Sequence, residues 1–177
     1  MKNLFFLFPG KYFDKKIIIF LIYYFTFRRN NVENYIITNK TIAITKKYKK
    51  TIIYDVDNIR IINKNINKIL ELNCNFYGND INFIKKQVKN VLNIHYKIPI
   101  IINNSVFIQL FNLRSNNCIF ININKIIDYK INDNKLEIIC YKRKFILDLS
   151  KSTFEKNLLN GVKLNNIINI KKTTNFV

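Results

Sequence analysis

The sequence has few of the residues that build catalytic and cofactor sites. It contains one histidine, three cysteines and three glycines in 177 residues. The glycines, at Gly10, Gly78 and Gly161, are too few and too far apart to form a glycine-rich phosphate loop. The 11 Asp and Glu residues are scattered and form no paired carboxylate motif. We therefore expect no enzymatic activity, no catalytic residues and no cofactor.

The shortage of cysteine also limits crosslinking and metal binding. Three cysteines without regular spacing argue against a disulfide framework and favour a reducing cytosol. The possible zinc ligands are Cys74, His95, Cys118 and Cys140. These residues lie far apart along the chain, whereas zinc ligands usually come in close pairs. We therefore predict buried thiols and a surface histidine rather than a metal site.

The most apolar run of the chain is too short to cross a membrane as a helix. Residues 17–27 form an apolar segment of eleven residues between basic pairs at 15–16 and 28–29, and a spanning helix needs about 20. The residues after it include no small side chains of the kind found at signal-peptide cleavage sites. Three interpretations of residues 1–33 remain open: an interfacial anchor, an extra strand, or translation upstream of the true start, with Val32 as the alternative first residue.

Acidic residues are few relative to basic ones. The chain has 30 Lys and Arg residues against 11 Asp and Glu, which gives a net charge of +19 at pH 7. Part of this basicity reflects the AT-rich codons of Ile, Asn and Lys, which dominate the composition. The charge is nevertheless real and predicts an anionic partner, either nucleic acid or an acidic membrane surface.

Strand signals fill most of the chain from residue 35 onward. Short isoleucine-rich runs alternate with polar turns that contain Asn, Asp or Lys. The predicted strands are 35–37, 41–45, 51–54, 59–62, 100–102, 106–111, 118–122, 126–131, 135–140 and 145–149. A polar loop is expected over 63–67, and no helix is predicted in the apolar run 69–72 that follows it. We find no linker, repeat or second domain.

Two segments have the periodicity of amphipathic helices. Asp80 is the expected N-cap of the first, whose apolar residues lie three and four apart. Ser152 and Glu155 have the spacing of a capping box that opens the second. The apolar face of that second helix is predicted to hold Phe154, Leu158, Leu159 and Val162. The basic, Asn-rich segment 163–172 either extends this helix or forms a tail after it. The predicted fold is α+β, a single domain of mostly antiparallel β-sheet with two packed helices, near 80–93 and 153–164.

Five short motifs, in order between residues 35 and 163, resemble one known family. The first is a cysteine followed by two aromatic residues and a glycine: Cys74, Phe76, Tyr77 and Gly78. The other four contain His95, Lys97, Pro99 and Ile100; Phe111, Arg114 and Ser115; Cys118, Phe120 and Ile121; and Ser152 and Phe154. Together they resemble the ComK family of competence transcription factors. The chain departs from the family's pattern at Asn112, where members usually have proline, and at Phe120, where they have tryptophan.

This resemblance implies a DNA-binding domain over residues 34–172 that activates the genes for DNA uptake. It implies AT-rich double-stranded DNA as the partner, bound in the minor groove by dimers that pair, in the cytoplasm at the nucleoid. The minor groove of A·T pairs is narrow, negative and lined with acceptors, and it attracts basic side chains. Longer members carry a tail for a proteolytic adaptor, and this chain ends soon after Lys172, which argues against adaptor control.

Three groups of basic residues are the candidate DNA contacts. They are Lys85, Lys86 and Lys89 on the exposed face of the first helix; Lys97 and Arg114 beside a strand pair; and Lys142, Arg143 and Lys144 at a hairpin tip. Lysines are suited to phosphates and the arginines to a narrow groove. The basic loop 46–50 is either a solvated hairpin tip or a further phosphate contact. Two other functions remain open: a non-specific nucleic-acid binder, and a membrane-peripheral protein anchored by residues 17–27.

Overall fold

The computed structural model of the chain describes residues 35–174. This part is an α+β domain with two antiparallel sheets and three α-helices, and it confirms the predicted fold class. The interpretations of residues 1–33 concern a segment outside the described residues, and they stay predictions.

The larger sheet has six strands in the order β3-β2-β1-β6-β5-β4. In chain order the strands are β1 (Thr41–Lys47), β2 (Lys50–Asp55), β3 (Ile59–Ile62), β4 (Ile100–Ile102), β5 (Ser105–Gln109) and β6 (Ile119–Asn122). Every neighbouring pair is antiparallel. Several predicted boundaries shift: β1 continues to Lys47, β2 runs from Lys50 to Asp55, β5 runs from Ser105 to Gln109, and β6 begins at Ile119.

The smaller sheet is the predicted meander, but its third strand begins and ends two residues earlier than the predicted 145–149. It consists of β7 (Ile126–Asn132), β8 (Lys135–Cys140) and β9 (Arg143–Leu147), paired in that order. The β7–β8 turn has positive φ at both Asp133 and Asn134, and the β4–β5 turn has it at both Asn103 and Asn104. Asn and Asp tolerate the left-handed conformation that such two-residue hairpin turns require. The local sequence thus accounts for both turns.

The helices are α1 (Ile66–Phe76), α2 (Ile81–Leu92) and α3 (Lys151–Thr174). The prediction for α2 is confirmed, and Asp80 caps it by accepting a hydrogen bond of 2.7 Å from Phe83 N. The prediction that residues 69–72 form no helix was wrong, because this run lies inside α1. The side chains of Ile66, Ile69, Leu70, Asn73 and Cys74 are buried at helical spacing. A polar residue in the middle of that face obscures the pattern in the sequence.

The start and the buried face of α3 also differ from the prediction. The helix begins at Lys151 because Ser150, not Ser152, accepts from Thr153 N, at 3.3 Å. Glu155 instead accepts a hydrogen bond of 2.9 Å from the Tyr129 hydroxyl. The helix continues ten residues past the predicted end at 164, to Thr174. Its buried residues are Phe154, Asn157, Gly161 and Leu164, whereas Leu159 and Val162 are exposed.

Both faces of the six-stranded sheet are buried. On one face Ile44, Phe107 and Phe120 pack with α1 and α2 in a single cluster. On the other face Ile108 and Ile121 belong to a cluster that includes buried residues of the small sheet. Helix α3 contributes to both clusters, through Leu164 to the first and through Phe154 to the second. The domain therefore has α1 and α2 on one side of the central sheet and the meander on the other, and α3 contacts both clusters.

Residues 35–37, predicted as a strand, form none. Their backbone is bound to α1 instead, because Asn73 Oδ1 accepts from Ile37 N at 2.7 Å and Asn73 Nδ2 donates to Tyr35 O at 2.9 Å. The Tyr35 hydroxyl donates to the buried Asp55 carboxylate. These polar contacts attach the first described residues to the core.

Candidate nucleic-acid interface

Antiparallel pairing places two loops side by side at one end of the central sheet. Thr45 of β1 pairs with Ile119 of β6, and one residue further on Lys46 N donates to Cys118 O at 2.8 Å. The β1–β2 hairpin tip therefore lies beside the loop of residues 110–118, which connects β5 to β6.

Two more segments reach the same end. Thr51, at the start of β2, pairs with Ile62, and its hydroxyl donates to Lys64 O at 2.7 Å. Ile100 pairs with Phe107, so the segment that precedes β4 lies beside the end of β5. We call the four segments 46–50, 63–65, 93–99 and 110–118 the basic end.

The basic end carries seven Lys and Arg residues and no Asp or Glu. These residues are Lys46, Lys47, Lys49, Lys50, Lys64, Lys97 and Arg114. The β2–β3 turn at the opposite end of the sheet holds Asp55 and Asp57. Charges of one sign gathered on one surface create a local positive potential that attracts anions.

Apart from Lys64, the cations of the basic end form no ion pair within the described residues. Five lysines have an ion pair among the described side chains, and all five lie elsewhere: Lys40, Lys68, Lys130, Lys144 and Lys151. Lys46 donates to the carbonyl oxygens of Leu113 (3.2 Å) and Arg114 (3.3 Å). Its ammonium group therefore ties the hairpin to the neighbouring loop without losing its charge.

Hydrogen bonds inside the 110–118 loop fix its shape. Ser115 N donates to Asn112 O at 2.9 Å, and Asn117 N donates to the Ser115 hydroxyl at 3.1 Å. Gln109 Nε2 donates to Phe111 O at 2.7 Å at the start of the loop. The exposed Arg114 side chain therefore projects from an ordered backbone, so fixing it on a ligand costs side-chain entropy but little backbone entropy.

Sequence comparison assigns the chain to a family. A family model described as ComK protein matches residues 32–173, which is most of the chain. The chain belongs to the ComK family. No curated protein and no solved structure matches it significantly. The ComK family consists of competence transcription factors and not of enzymes, so this protein is placed among regulators of transcription.

Several of the ComK motif residues stabilise the fold of this domain. Cys74, Cys118 and Phe120 are buried in the core between the central sheet and the helices. Gly78, just after α1, has a φ of 75°, which side chains rarely adopt. Lys97 and Arg114 are the charged motif residues that lie at the basic end. Lys97 is partly buried, and this burial lowers its pKa.

The other candidate contacts of this ComK domain are not brought to the basic end. Lys86 and Lys89 are exposed on α2, and Lys85 is half-buried there. At the β8–β9 tip, Tyr141 N donates to Lys125 O at 3.2 Å, and Lys125 follows the end of β6 that is remote from Arg114. Only Lys142 lies in the turn itself, because Arg143 and Lys144 already belong to β9 and pair with Cys140 and Ile139. The three residues therefore form a basic group separate from the basic end.

The side chains of this basic group differ in their contacts within the small sheet. Lys144 Nζ lies 2.8 Å from Glu137 Oε1, and its hydrogen bond lowers the pKa of that carboxyl group. The Nε atom of Arg143 is buried without a hydrogen-bond partner among the described residues. Lys142 is exposed and lies 5.7 Å from the centre of the Tyr141 ring.

The three predicted groups of DNA contacts did not include Lys47, Lys49 and Lys50, which lie at the basic end. The signal was present in the sequence, because these lysines surround Tyr48 in the run from Lys46 to Lys50. That run was compatible with a solvated tip or a phosphate contact. Its position beside Arg114 depends on the pairing of β1 with β6, which places Thr45 opposite Ile119 although the two residues are far apart along the chain.

The thiols of the ComK domain are buried and unreactive in character. Burial raises the pKa of Cys74 and Cys118 to about 11 and that of Cys140 to about 12. Cys140 lies in a different core cluster from the other two. Within the described residues, no group of three or more His, Cys, Asp or Glu side chains is arranged to hold a metal ion. No helix in the same part of the chain is both long and apolar enough to cross a membrane.

Proposed function

We propose that this ComK family member is a sequence-specific DNA-binding activator of competence genes. In this proposal it binds AT-rich boxes of duplex DNA through the minor groove, as dimers that pair on the DNA, in the cytoplasm at the nucleoid. The observation that carries the proposal is the basic end, where seven cations come together in segments without a carboxylate.

The chemistry of the basic end suits a narrow and negative groove. Lysines at the hairpin tip are point charges that neutralise phosphates on either side of a groove. Arg114 has a planar guanidinium group that is less strongly hydrated than an ammonium group, so it enters a narrow groove at a lower desolvation cost. The proposal therefore assigns backbone contacts to Lys47, Lys49 and Lys50 and groove contact to Arg114.

Competition with a minor-groove drug tests the groove. Distamycin should displace the full-length protein from a labelled AT-box duplex, because both occupy the A·T minor groove. Methylation of bases in the major groove should leave the affinity unchanged. Binding that resists distamycin and responds to major-groove methylation would refute the minor-groove assignment.

A salt titration tests the contacts themselves. Lys49→Ala should weaken binding to AT-box and random duplexes alike and should reduce the salt slope by about one. Arg114→Ala should instead reduce the preference for the AT box. Lys40→Ala removes the same charge from a lysine that is paired with Asp57, away from the basic end, and serves as the matched control. The same titration of Lys86→Ala and Lys142→Ala tests the two remaining basic groups.

Two other functions, non-specific nucleic-acid binding and membrane association, predict different experimental results. Equal affinity for AT-box and random duplexes would identify a non-specific nucleic-acid binder, which the net charge of +19 by itself would also support. Recovery of the full-length protein with membranes, but of residues 32–177 in the soluble fraction, would identify the membrane-peripheral alternative anchored by residues 17–27.

A further inference from the structure

Two tyrosine rings project into solvent from the basic end. Tyr48 is 73% exposed at the β1–β2 tip, and Tyr96 is 85% exposed in the segment before β4. These are the two largest exposures among the large hydrophobic side chains of the described residues. Neither hydroxyl has a hydrogen bond and neither ring stacks on another within that part of the chain. A single exposed aromatic residue is ordinary, but here both most exposed rings lie on the same cationic surface.

The backbone at Tyr48 makes its position unusual. Lys47 pairs with Lys50, so Tyr48 and Lys49 form a two-residue turn, and Tyr48 has a φ of 55°. A hairpin turn with positive φ at its first central residue normally has glycine there. A bulky side chain in this conformation is strained, and the exposed Tyr48 ring gains almost no packing in return. The folded domain alone therefore gives no reason for a tyrosine at this turn.

The surroundings of the two rings match a known mode of recognition. Aromatic rings beside cationic side chains bind single-stranded nucleic acid, because bases stack on the rings while the cations neutralise the phosphates. Lys47 and Lys49 flank Tyr48, and Lys97 follows Tyr96 directly. Arg114 lies in the loop of the basic end that follows β5, between the strands that carry the two tyrosine segments.

The distance between the segments suits a short single strand. The hairpin strand β1 and the strand β4 are separated by three strand spacings in the order β1-β6-β5-β4, which corresponds to about 14 Å. A few nucleotides of single strand span this distance. Bases in an intact duplex are stacked on one another and do not offer their faces to a side chain in this way.

We propose that the basic end binds unpaired bases of single-stranded nucleic acid by stacking on Tyr48 and Tyr96. The phosphates of the strand contact the lysines of the hairpin tip and Arg114. This interaction goes beyond the proposed duplex binding and rests on it only for the shared cationic surface. DNA and RNA present the same base faces, so the 2′-hydroxyl decides which of the two strands binds more tightly.

Ring removal in the full-length protein tests the proposal. The variants are Tyr48→Gly, Tyr96→Ala and the double variant, measured by fluorescence anisotropy against oligothymidylate, oligouridylate and an AT-box duplex. Loss of each ring should weaken binding to the single strands about fivefold or more and leave duplex binding unchanged. Tyr48→Gly also removes the strained φ, so it should raise the urea midpoint of unfolding, and a loss of binding cannot then be attributed to misfolding.

Two further variants isolate the ring from its position. Tyr48→Phe keeps the stacking surface and should bind single strands as the wild type does. Phe83→Ala removes an aromatic ring that is 60% exposed near the start of α2, outside the basic end, and should change nothing. Single-strand binding that survives the double variant, or that falls equally for the duplex or for Phe83→Ala, would overturn the proposal. Failure of the wild type to prefer AT-box duplexes would refute only the proposed function.

Discussion

Replacing Gly161 with alanine tests how closely α3 approaches the central sheet. Gly161 lies in the interior of α3, where a change from glycine to alanine normally stabilises a helix by about 1 kcal/mol. Here a Cβ atom would lie 2.5 Å from Ile108 Cγ2 and 3.0 Å from Ile123 Cγ2. Ile108 is buried in β5, and its branched side chain is restricted in χ1. The helix gain and the steric penalty therefore oppose each other.

The expected result follows from the two magnitudes. Overpacking a buried contact costs about 1–3 kcal/mol, and an approach of 2.5 Å belongs in the upper part of that range. After subtraction of the helix gain, Gly161→Ala should lower the free energy of unfolding by about 1–2 kcal/mol. Urea unfolding followed by circular dichroism at 222 nm measures this loss.

Two control variants separate the steric penalty from helix propensity. Asn166→Ala changes an exposed position of the same helix and should stabilise the protein by a few tenths of a kcal/mol, at most about 0.7. In an Ile108→Ala background the nearest methyl group is gone, so adding Gly161→Ala should cost less than in the wild type or should stabilise. Stabilisation by Gly161→Ala in the wild-type background would show that α3 does not approach Ile108 of β5 this closely.

Three other properties of the fold can be tested by unfolding experiments. Asn73→Ala leaves Ile37 N and the Tyr35 carbonyl oxygen without their buried partner, and it should cost about 2–4 kcal/mol; a loss below 1 kcal/mol would contradict this arrangement. The three buried thiols have raised pKa values, so their contribution to stability is complete below pH 9 and is lost as the pH rises toward 11 and 12. The free energy of unfolding, measured by urea titration, should therefore fall across this range by up to about 1.4 kcal/mol per pH unit for each thiol. Cys140→Ala should make this pH dependence shallower. Because the pKa of Glu137 is lowered from its ordinary value of 4.5, its carboxylate stabilises the fold at pH values above 4.5, and this stabilisation is lost on acidification. Glu137→Gln should therefore lower the urea midpoint more at pH 7 than at pH 3.

Local patterns determined the elements whose signals lie within a few residues of one another. Helix α2 was predicted because its cap, Asp80, and its apolar stripe at Ile81, Ile84 and Val88 all lie within nine positions. The turn at Asp133 and Asn134 was predicted for a similar reason, since the conformational preference of two adjacent residues defines it. In these cases the physical cause acts between near neighbours in the chain.

Elements whose cause is a distant contact were predicted poorly. Helix α1 was missed because its buried face includes Asn73, which is stabilised there by the backbone of residues 35–37 rather than by apolar packing. The cap of α3 was assigned to Ser152 instead of Ser150, although both serines are able to cap a helix. The packing of Phe154 and Gly161 on the central sheet sets where the chain enters that helix.

The basic end shows the same division between sequence and tertiary structure. The sequence by itself determined that the chain is strongly cationic, and the family motifs drew attention to Lys97 and Arg114. Only the tertiary structure decided that these two residues share one surface with Lys47, Lys49 and Lys50, and that the β8–β9 tip forms a separate group. The physical reason is strand register: hydrogen bonding between β1 and β6 brings distant loops together, and no local pattern encodes which strands become partners.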